Sequence, residues 1–531
     1  MDAERPFLTN QIESKSGESQ ERLPRPQEFL EKLKNQGLEN HAEIYSKVVE
    51  IARSVKSAGG KVLLVGGSVR DIVMGKTPKD FDVEVYGLKA EEVRRIAGSL
   101  GNISEVGKAF GVLKLTFGCG LDIDIALPRS DSKIAAGHKG FEVKTNPFMS
   151  VEDAARRRDF TINAIAADPL TGEIHDPFGG LKDIKQRVLR VTDPERFADD
   201  PLRAMRAMQF VGRFGMQIDK SSLPVILETA EKLRELPKER IGEEWKKLLL
   251  KSEKPSLGLS AGMVLGIMKN IHPEFPPLAQ TPQDKEWHPE GDAWVHTLMV
   301  VDEAARLVRK EDLDEEKSLV ILLASLCHDL GKPLVTKHES GRVKSYGHES
   351  AGVEPTNKFL AGIGIDNLTR QKVVRLVANH MVPTMLYVQE VVKKGRVNDG
   401  AIRRLADRIY PATIQELVLV SEADHLGRGP FEDPEHPNQL LLPFGDYPAK
   451  NWLLDRARRL KVEESRPSDL VRGRDLINLG FKQGPKIGEI IALSNRLRDE
   501  KDFSREKVLE EVMKSSEAAE AAERLRSLLK G

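Results

Sequence analysis

The strand-forming segments of this chain all fall before Asp176, and the remainder runs in helical periods. That asymmetry predicts an α+β order: a small mixed sheet first, then all-helical bodies. KVLLV at 61–65 is an apolar strand broken by Gly66-Gly67. FDVEVY at 81–86, GVLKLTF at 111–117 and LDIDIAL at 121–127 are the other strand candidates, and Gly118-Cys119-Gly120 predicts a hairpin between the last two. A helix is predicted over 41–58, where Ile44, Val48, Ile51 and Val55 form one stripe ending at Gly59-Gly60, and another over 88–101.

Composition breaks then divide the chain. Residues 1–35 begin polar and aperiodic and are expected to form a flexible arm, with the sheet-bearing head at 36–180. A helical neck and body is expected at 181–285. It is locally basic: 185–213 holds seven Lys/Arg against four Asp/Glu, and 232–254 eight against five. The Pro-rich stretch HPEFPPLAQTPQ at 272–283 ends it. A second helical domain, dotted with histidines, is expected at 286–430 and a helical tail at 431–531. Lys+Arg and Asp+Glu are 82 each, so any nucleic-acid role must rest on local patches, not on a basic protein as a whole. The two cysteines, Cys119 and Cys327, sit in apolar surroundings and are expected to be buried thiols, not a disulfide framework. The longest apolar run, LVILLASL at 319–326, is too short to span a bilayer, and the polar start MDAERPFLTN carries no secretory signal. A cytoplasmic protein is expected, with no membrane and no obligate protein partner.

Two constellations carry chemistry. In LLVGGSVRDIVMGKTPKDFDVEV a Gly-Gly turn follows a strand, and a short helix leads to a second strand bearing Asp80 and Asp82. Residues i and i+2 of a strand share a face, so the pair can share divalent cations, and hard carboxylate oxygens suit Mg²⁺. Asp124 on the neighbouring strand candidate offers a third ligand, and Asp122 shares its face. Gly66 and Gly67 permit close backbone approach, so main-chain N–H groups with Ser68 can cradle a triphosphate, with Arg70 beside them. In DDPLRAMRAMQF, Asp200, Arg203 and Arg206 are expected within one helix, on one surface at i, i+3 and i+6, where the guanidinium forks can reach phosphate or a base edge. The second constellation is His296, His328, Asp329, His348, His380 and Asp424, spread over separate helices. Imidazole with carboxylate suits a divalent transition metal, whether Mn, Fe, Co, Ni or Zn.

GGSVRD, KDFD, RRDFTINA and DDPLR, taken together over about 55–255, resemble the class II tRNA nucleotidyltransferases and bacterial poly(A) polymerases. The resemblance implies a palm-like nucleotidyltransferase head, a helical neck and body that binds RNA, and template-independent addition to an RNA 3′ end. It implies catalytic and Mg²⁺-binding roles for Asp80, Asp82 and Asp124, the last standing five residues before Arg129, itself a nucleotide-binding candidate. Arg157, Arg158 and Asp159 match the motif linked to ribose recognition, with Asn163 in the same stretch a further nucleotide-binding candidate. Asp199, Asp200 and Arg203 match the motif that selects the incoming base. Here Asp199 stands where Glu is usual, and Gln209 stands where many members carry Arg. Residues 290–430 resemble the HD phosphohydrolase superfamily. That resemblance implies core metal ligands at His296, His328, Asp329 and Asp424, extra histidines of two-metal members at His348 and His380, and a phosphate contact at Lys332. The segment from Ser468 resembles the tail of the branch with this appended domain. The reading is a tRNA CCA-adding enzyme using CTP and ATP, with phosphatase or 2′,3′-cyclic phosphodiesterase activity in the second domain. A poly(A) polymerase, a partial CC- or A-adding enzyme, and a phosphohydrolase with an RNA-binding first module are the alternatives.

Overall fold

The computed structural model describes residues 22–106, 112–117, 121–133, 141–429 and 445–530. The chain divides into two compact units, 1–199 and 200–531. The first unit opens with helices α1 (Pro26–Asn35) and α2 (Glu39–Ser57), strand β1 (Lys61–Val65), helix α3 (Gly67–Val73) and strand β2 (Val83–Tyr86). Helix α4 (Ala90–Leu100) leads to β3 (Asn102–Val106), β4 (Val112–Thr116) and β5 (Asp122–Ala126). A separate ribbon, β6 (Arg129–Lys133) with β7 (Phe141–Thr145), precedes α5 (Val151–Arg156), and β8 (Ala166–Ala167) and β9 (Ile174–His175) complete the sheet.

The seven strands run in the order β3-β4-β5-β2-β1-β8-β9. Neighbours are antiparallel except β2 and β5, which run parallel with Val83 opposite Ile125 and Glu84 opposite Ala126. Val62–Val65 of β1 are all buried, as a central strand covered on both faces requires. The expected hairpin is present as β4 and β5, with Lys114 opposite Asp124, while its tip at 118–120, and with it Cys119, lies outside the described residues. Strand β2 begins at Val83, not at Phe81, so Asp80 and Asp82 stand in the approach to the strand. Asp82 still continues the ladder, because its carbonyl accepts from the Val65 N–H at 3.1 Å, and its side chain keeps the alternation that Glu84 and Tyr86 follow. Strands β3 and β6–β9 are additions to the expected set; β8 and β9 hold two residues each, too short for any periodicity. Residues 26–35, read as part of an arm, form α1: Phe29 and Leu33 are buried, and Phe29 meets the Tyr45 ring edge-on at 4.8 Å. Of the rest of that arm, residues 1–21 lie outside the described residues, and Leu23 is buried.

The second unit is helical apart from short strands. Its opening helix, Leu202–Phe214, packs with Lys238–Lys251 and Pro255–Val264. Helices Ala293–Lys310, Glu315–Cys327, Asn367–Val377 and Ile414–Leu426 then form the bundle that carries the histidines. The stretch 315–335 is apolar enough to be weighed as a membrane span, but most of it is buried within the unit, as a core helix is. The carboxyl-terminal helices Gly473–Asn478, Pro485–Lys501, Arg505–Met513 and Ala518–Lys530 enclose an apolar core of their own around Leu476, Ile490, Leu497, Val508, Val512 and Leu525.

Candidate active sites in the two units

In the first unit the parallel pairing of β2 with β5 does the placing. One register step before Val83 and Ile125, Asp82 comes beside Asp124. Loss of water around Asp82 raises its carboxyl pKa, with Arg158 opposing and the charges of Asp124, Asp80 and Glu84 adding to the rise. Carboxylates that repel one another in this way fit a divalent cation. Asp122 is otherwise engaged: Lys114 Nζ lies 2.8 Å from Oδ2 and Thr116 donates to Oδ1 at 2.6 Å. Of the two acids left open by the alternation, Asp124 is the one across from Asp82.

The glycine turn follows β1 directly. Gly66 has φ +69°, a conformation that favours glycine, and a Cβ there would lie 2.6 Å from Nη1 of Arg158. Ser68 is buried and donates its hydroxyl to the Val65 carbonyl at 3.0 Å, so its proton serves the turn. Arg70 is buried too. Its Nη1 donates to Asn163 Oδ1 at 2.7 Å, and the Asn163 amide donates to Asp159 Oδ1 at 2.9 Å, which ties helix α3 to the RRDFTIN segment. Arg157 and Arg158 donate to one oxygen of Glu84, at 2.7 and 3.0 Å. Asp80, Asp82, Asp124, Arg158 and the glycine turn are thus gathered at one end of β1, β2 and β5. Arg129 opens β6. Glu84 was not among the expected site residues, although the D-x-D-x-E alternation places it on the same face as Asp82.

Asp199 closes the first unit and Asp200 opens the second. Asp200 precedes its helix instead of lying within it: Oδ1 accepts from the Leu202 N–H at 3.1 Å and Oδ2 pairs with Arg240 at 2.9 Å. Arg203 and Arg206 follow on the helix, Arg206 stacked over the Phe210 ring at 5.0 Å, and Gln209 is buried.

In the second unit all six expected ligands converge. His296 Nε2 is 3.1 Å from Asp424 Oδ1, and His328 Nε2 is 3.2 Å from Asp329 Oδ2. His348 Nε2 lies 3.5 Å from Asp329 Oδ1 and 3.3 Å from His380 Nε2. Helix ends supply this convergence: His328 caps 315–327, His348 opens 348–351, and Asp424 is in the last turn of 414–426. The Nδ1 atoms of His328, His348 and His380 face the carbonyls of Ser325, Ser345 and Val377 at 2.8, 2.9 and 2.7 Å. A ring that donates from Nδ1 turns a lone pair outward at Nε2, the arrangement of a metal-ligating histidine. The Nε2 atoms of His348 and His380 face each other at 3.3 Å. Among the described residues His328 Nε2 and both oxygens of Asp329 are buried without an aligned hydrogen bond, although Lys332 Nζ compensates charge 2.7 Å from Oδ2. These orphaned atoms fit divalent metal.

The charges fit as well. Burial, with His348 and His328 beside it, pushes His380 down to about 3, so it is neutral. Burial works against ionisation of Asp329 and Asp424, but His328 and Lys332 for the first, and Arg428 and His296 for the second, hold both well below the usual carboxylate range. Sequence reasoning missed Glu290. Its Oε1 lies 2.9 Å from His296 Nδ1, which also faces the Gly427 carbonyl at 3.2 Å, and accepts from His288 Nδ1 at 2.8 Å; its Oε2 accepts from the Gly429 N–H at 3.1 Å. Lys332 is set by Gln283, whose Oε1 accepts from Nζ at 2.5 Å. The only sequence signal for this layer was WHPEGD, directly before the helix of His296.

Residues 62–190 match the family model of the poly A polymerase head domain, 215–278 that of the probable RNA and SrmB-binding site of polymerase A, and 294–429 that of the HD domain. The multifunctional CCA protein of Stenotrophomonas maltophilia K279a is 33% identical over 442 residues, 81% of this chain and 97% of that protein. The chain belongs to the multifunctional CCA protein family. A second member, from Pasteurella multocida Pm70, is 33% identical over 391 residues, covering 72% of this chain and 87% of its own. The fold is that of the Bacillus stearothermophilus CCA-adding enzyme solved with CTP: TM-score 0.59, 21% identity, covering 92% of this chain and 99% of that one. Membership bears out the resemblance read from the motifs, for the head and for the appended HD domain alike.

Proposed function

We propose that the first unit catalyses template-independent addition of CCA to tRNA 3′ ends from CTP and ATP. The observation that carries this reading is the juxtaposition of Asp82 with Asp124 beside a glycine turn crossed by Arg158, within a poly A polymerase head domain. The RNA 3′-hydroxyl attacks the α-phosphorus of the nucleotide and pyrophosphate leaves. Asp80, Asp82 and Asp124 would hold Mg²⁺, which supplies Lewis-acid stabilisation of the phosphoryl oxygens. The backbone of Gly66–Gly67 and the guanidinium of Arg158 receive the triphosphate. Arg70, Asn163 and Asp159 brace that turn from behind. The family resemblance assigns choice of the incoming base to the motif of Asp199, Asp200 and Arg203, and the basic helices of the second unit, from Arg206 on, would hold RNA by its phosphates.

The HD cluster supports a second activity, hydrolysis of phosphoesters, with terminal phosphates and 2′,3′-cyclic phosphates of RNA as the substrates. His296, His328, Asp329 and Asp424 would hold a divalent transition metal of the Mn, Fe, Co, Ni or Zn group, and His348 and His380 a second, supplying Lewis-acid polarisation of the phosphoryl group. Lys332, fixed by Gln283, meets the phosphate.

The test uses the full chain with tRNA ending at the discriminator base, at C and at CC, supplied with CTP and ATP separately and together. Addition of three nucleotides in order supports CCA synthesis; a long adenylate tail overturns it. Substrates with 3′-phosphate and 2′,3′-cyclic ends, compared with His328→Ala, test the second site.

A further inference from the structure

Glu84 lies on the same strand face as Asp82, and yet it is no metal ligand. One of its oxygens accepts from Nη2 of both Arg157 and Arg158, at 2.7 and 3.0 Å, and the other accepts from the Tyr86 hydroxyl at 2.9 Å. Tyr86 is itself fixed in the apolar cluster of Leu63, Val65, Ala154 and Ala166 under helix α5. The carboxylate is buried, 3% exposed, so it has no freedom to turn toward a cation. What it does hold is Arg158. With Nη2 tied to Glu84, Nη1 of Arg158 is carried across the glycine turn, to 2.6 Å from where a Cβ of Gly66 would stand. An isolated arginine samples many rotamers; one anchored by a buried carboxylate presents its fork in a single place.

We infer that Glu84 is a positioning residue for the nucleotide triphosphate: it acts through Arg158, holding that guanidinium over the Gly66–Gly67 turn. The inference rests on the assignment of this turn to the triphosphate. Because the triphosphate is common to both substrates, Glu84 serves CTP and ATP equally and has no part in choosing the base. Successive side chains on this face of β2 and its approach then have separate roles, Asp82 serving the cation, Glu84 the arginine that meets the phosphates, and Tyr86 the core.

The experiment titrates the full chain with Mg²⁺·CTP and Mg²⁺·ATP and reads the dissociation constant, with tRNA extension measured in parallel. Glu84→Ala is expected to weaken both nucleotides by roughly ten- to a hundredfold and by the same factor, as the loss of a charge-assisted contact implies. Glu84→Gln keeps an acceptor for the guanidinium and a donor toward Tyr86, and is expected to recover part of the loss. Glu84→Ala added to Arg158→Ala should cost nothing beyond Arg158→Ala alone, since one acts through the other. A general structural role would make the two losses additive, and that result overturns the inference, as does unequal weakening of CTP and ATP. Should Glu84→Ala fail to fold, Glu84→Gln with Arg158→Ala runs the same comparison. A wild-type protein that binds both nucleotides but leaves tRNA unextended overturns the CCA reading alone; one that binds neither overturns both.

Discussion

At the scale of single residues the two sites differ in how much a sequence can say about them. The candidate ligands are conspicuous: Asp80, Asp82, Asp124 and the six residues of the HD cluster are acids and histidines standing in or beside apolar runs of sequence, and motif spacing singles them out. The groups that orient them are ordinary acids and amides. Glu84 reads as one more polar residue of an alternating strand, and Glu290 as part of a loop, until their partners are seen in space. Two predictions belong here. Replacing Asp82 with Ala removes an acid from the acidic cluster, and nucleotide transfer should fall by on the order of 10³ or more, several kcal/mol of transition-state stabilisation. Single-nucleotide extension of tRNA-CC with ATP measures it, and near-normal extension would dismiss the acidic cluster as the catalytic centre. Glu290→Gln leaves all six HD ligands in place but loosens the hold on His296 Nδ1. Metal affinity should drop by roughly 10–100-fold, as for other carboxylates behind a ligating histidine. Competition with a chromophoric chelator reads that drop directly.

At the scale of elements, apolar pattern decided what was legible, not length: β1 and β3 hold five residues each, and only the apolar β1 declares itself. α2, β1 and the β4–β5 pair carry enough periodic apolar residues to declare themselves, and all three lie where the pattern placed them. β8 and β9 hold two residues each and exist because β1 offers an edge to β8 and β8 offers one to β9, a tertiary cause with no local signature. The approach to β2 shows the same limit: alternation at 80–86 runs longer than the ladder that β1 and β5 can pair. Helix ends matter more than helix bodies for the HD site, since His328 and His348 sit at termini packed against each other. Gly331 is where the two segments touch, and an added Cβ there would collide with the carbonyl of His348. Gly331→Ala should therefore displace the backbone that sets His348 and cost the protein HD-site metal, with little effect on CCA addition. Elemental analysis of the purified variant beside the wild type, together with tRNA extension, checks both halves; unchanged metal content would mean that this contact does not set the ligand.

At the scale of the whole chain, a set of buried histidines links stability to pH. His272 is the clearest member because it lies outside the metal cluster. It is buried with an aromatic group, its ring 5.3 Å from Trp245 and 5.0 Å from Phe359, and the Trp245 indole N–H donates to its Nε2 at 2.9 Å. Burial pushes its pKa down to about 3 from an ordinary 6.5. The sign follows from proton counting. Between about pH 6.5 and about pH 3 the unfolded chain binds this proton and the folded chain does not, so protonation favours unfolding throughout that window. The contribution of a neutral His272 is present in full above about pH 6.5 and is lost progressively as pH falls toward 3. Gln at this position keeps an acceptor for Trp245 and cannot take up the proton. The stability of His272→Gln, measured as the denaturant midpoint against pH, should thus fall less steeply below pH 6.5 than that of the wild type, even if the variant is the less stable of the two at pH 8. Parallel curves would assign the acid sensitivity to other groups and leave His272 a packing residue only. The sequence showed a histidine after a helix and before a proline; that it is a buried acceptor depends on helices 238–251 and 353–362 closing around it, which is knowledge held by the folded chain alone.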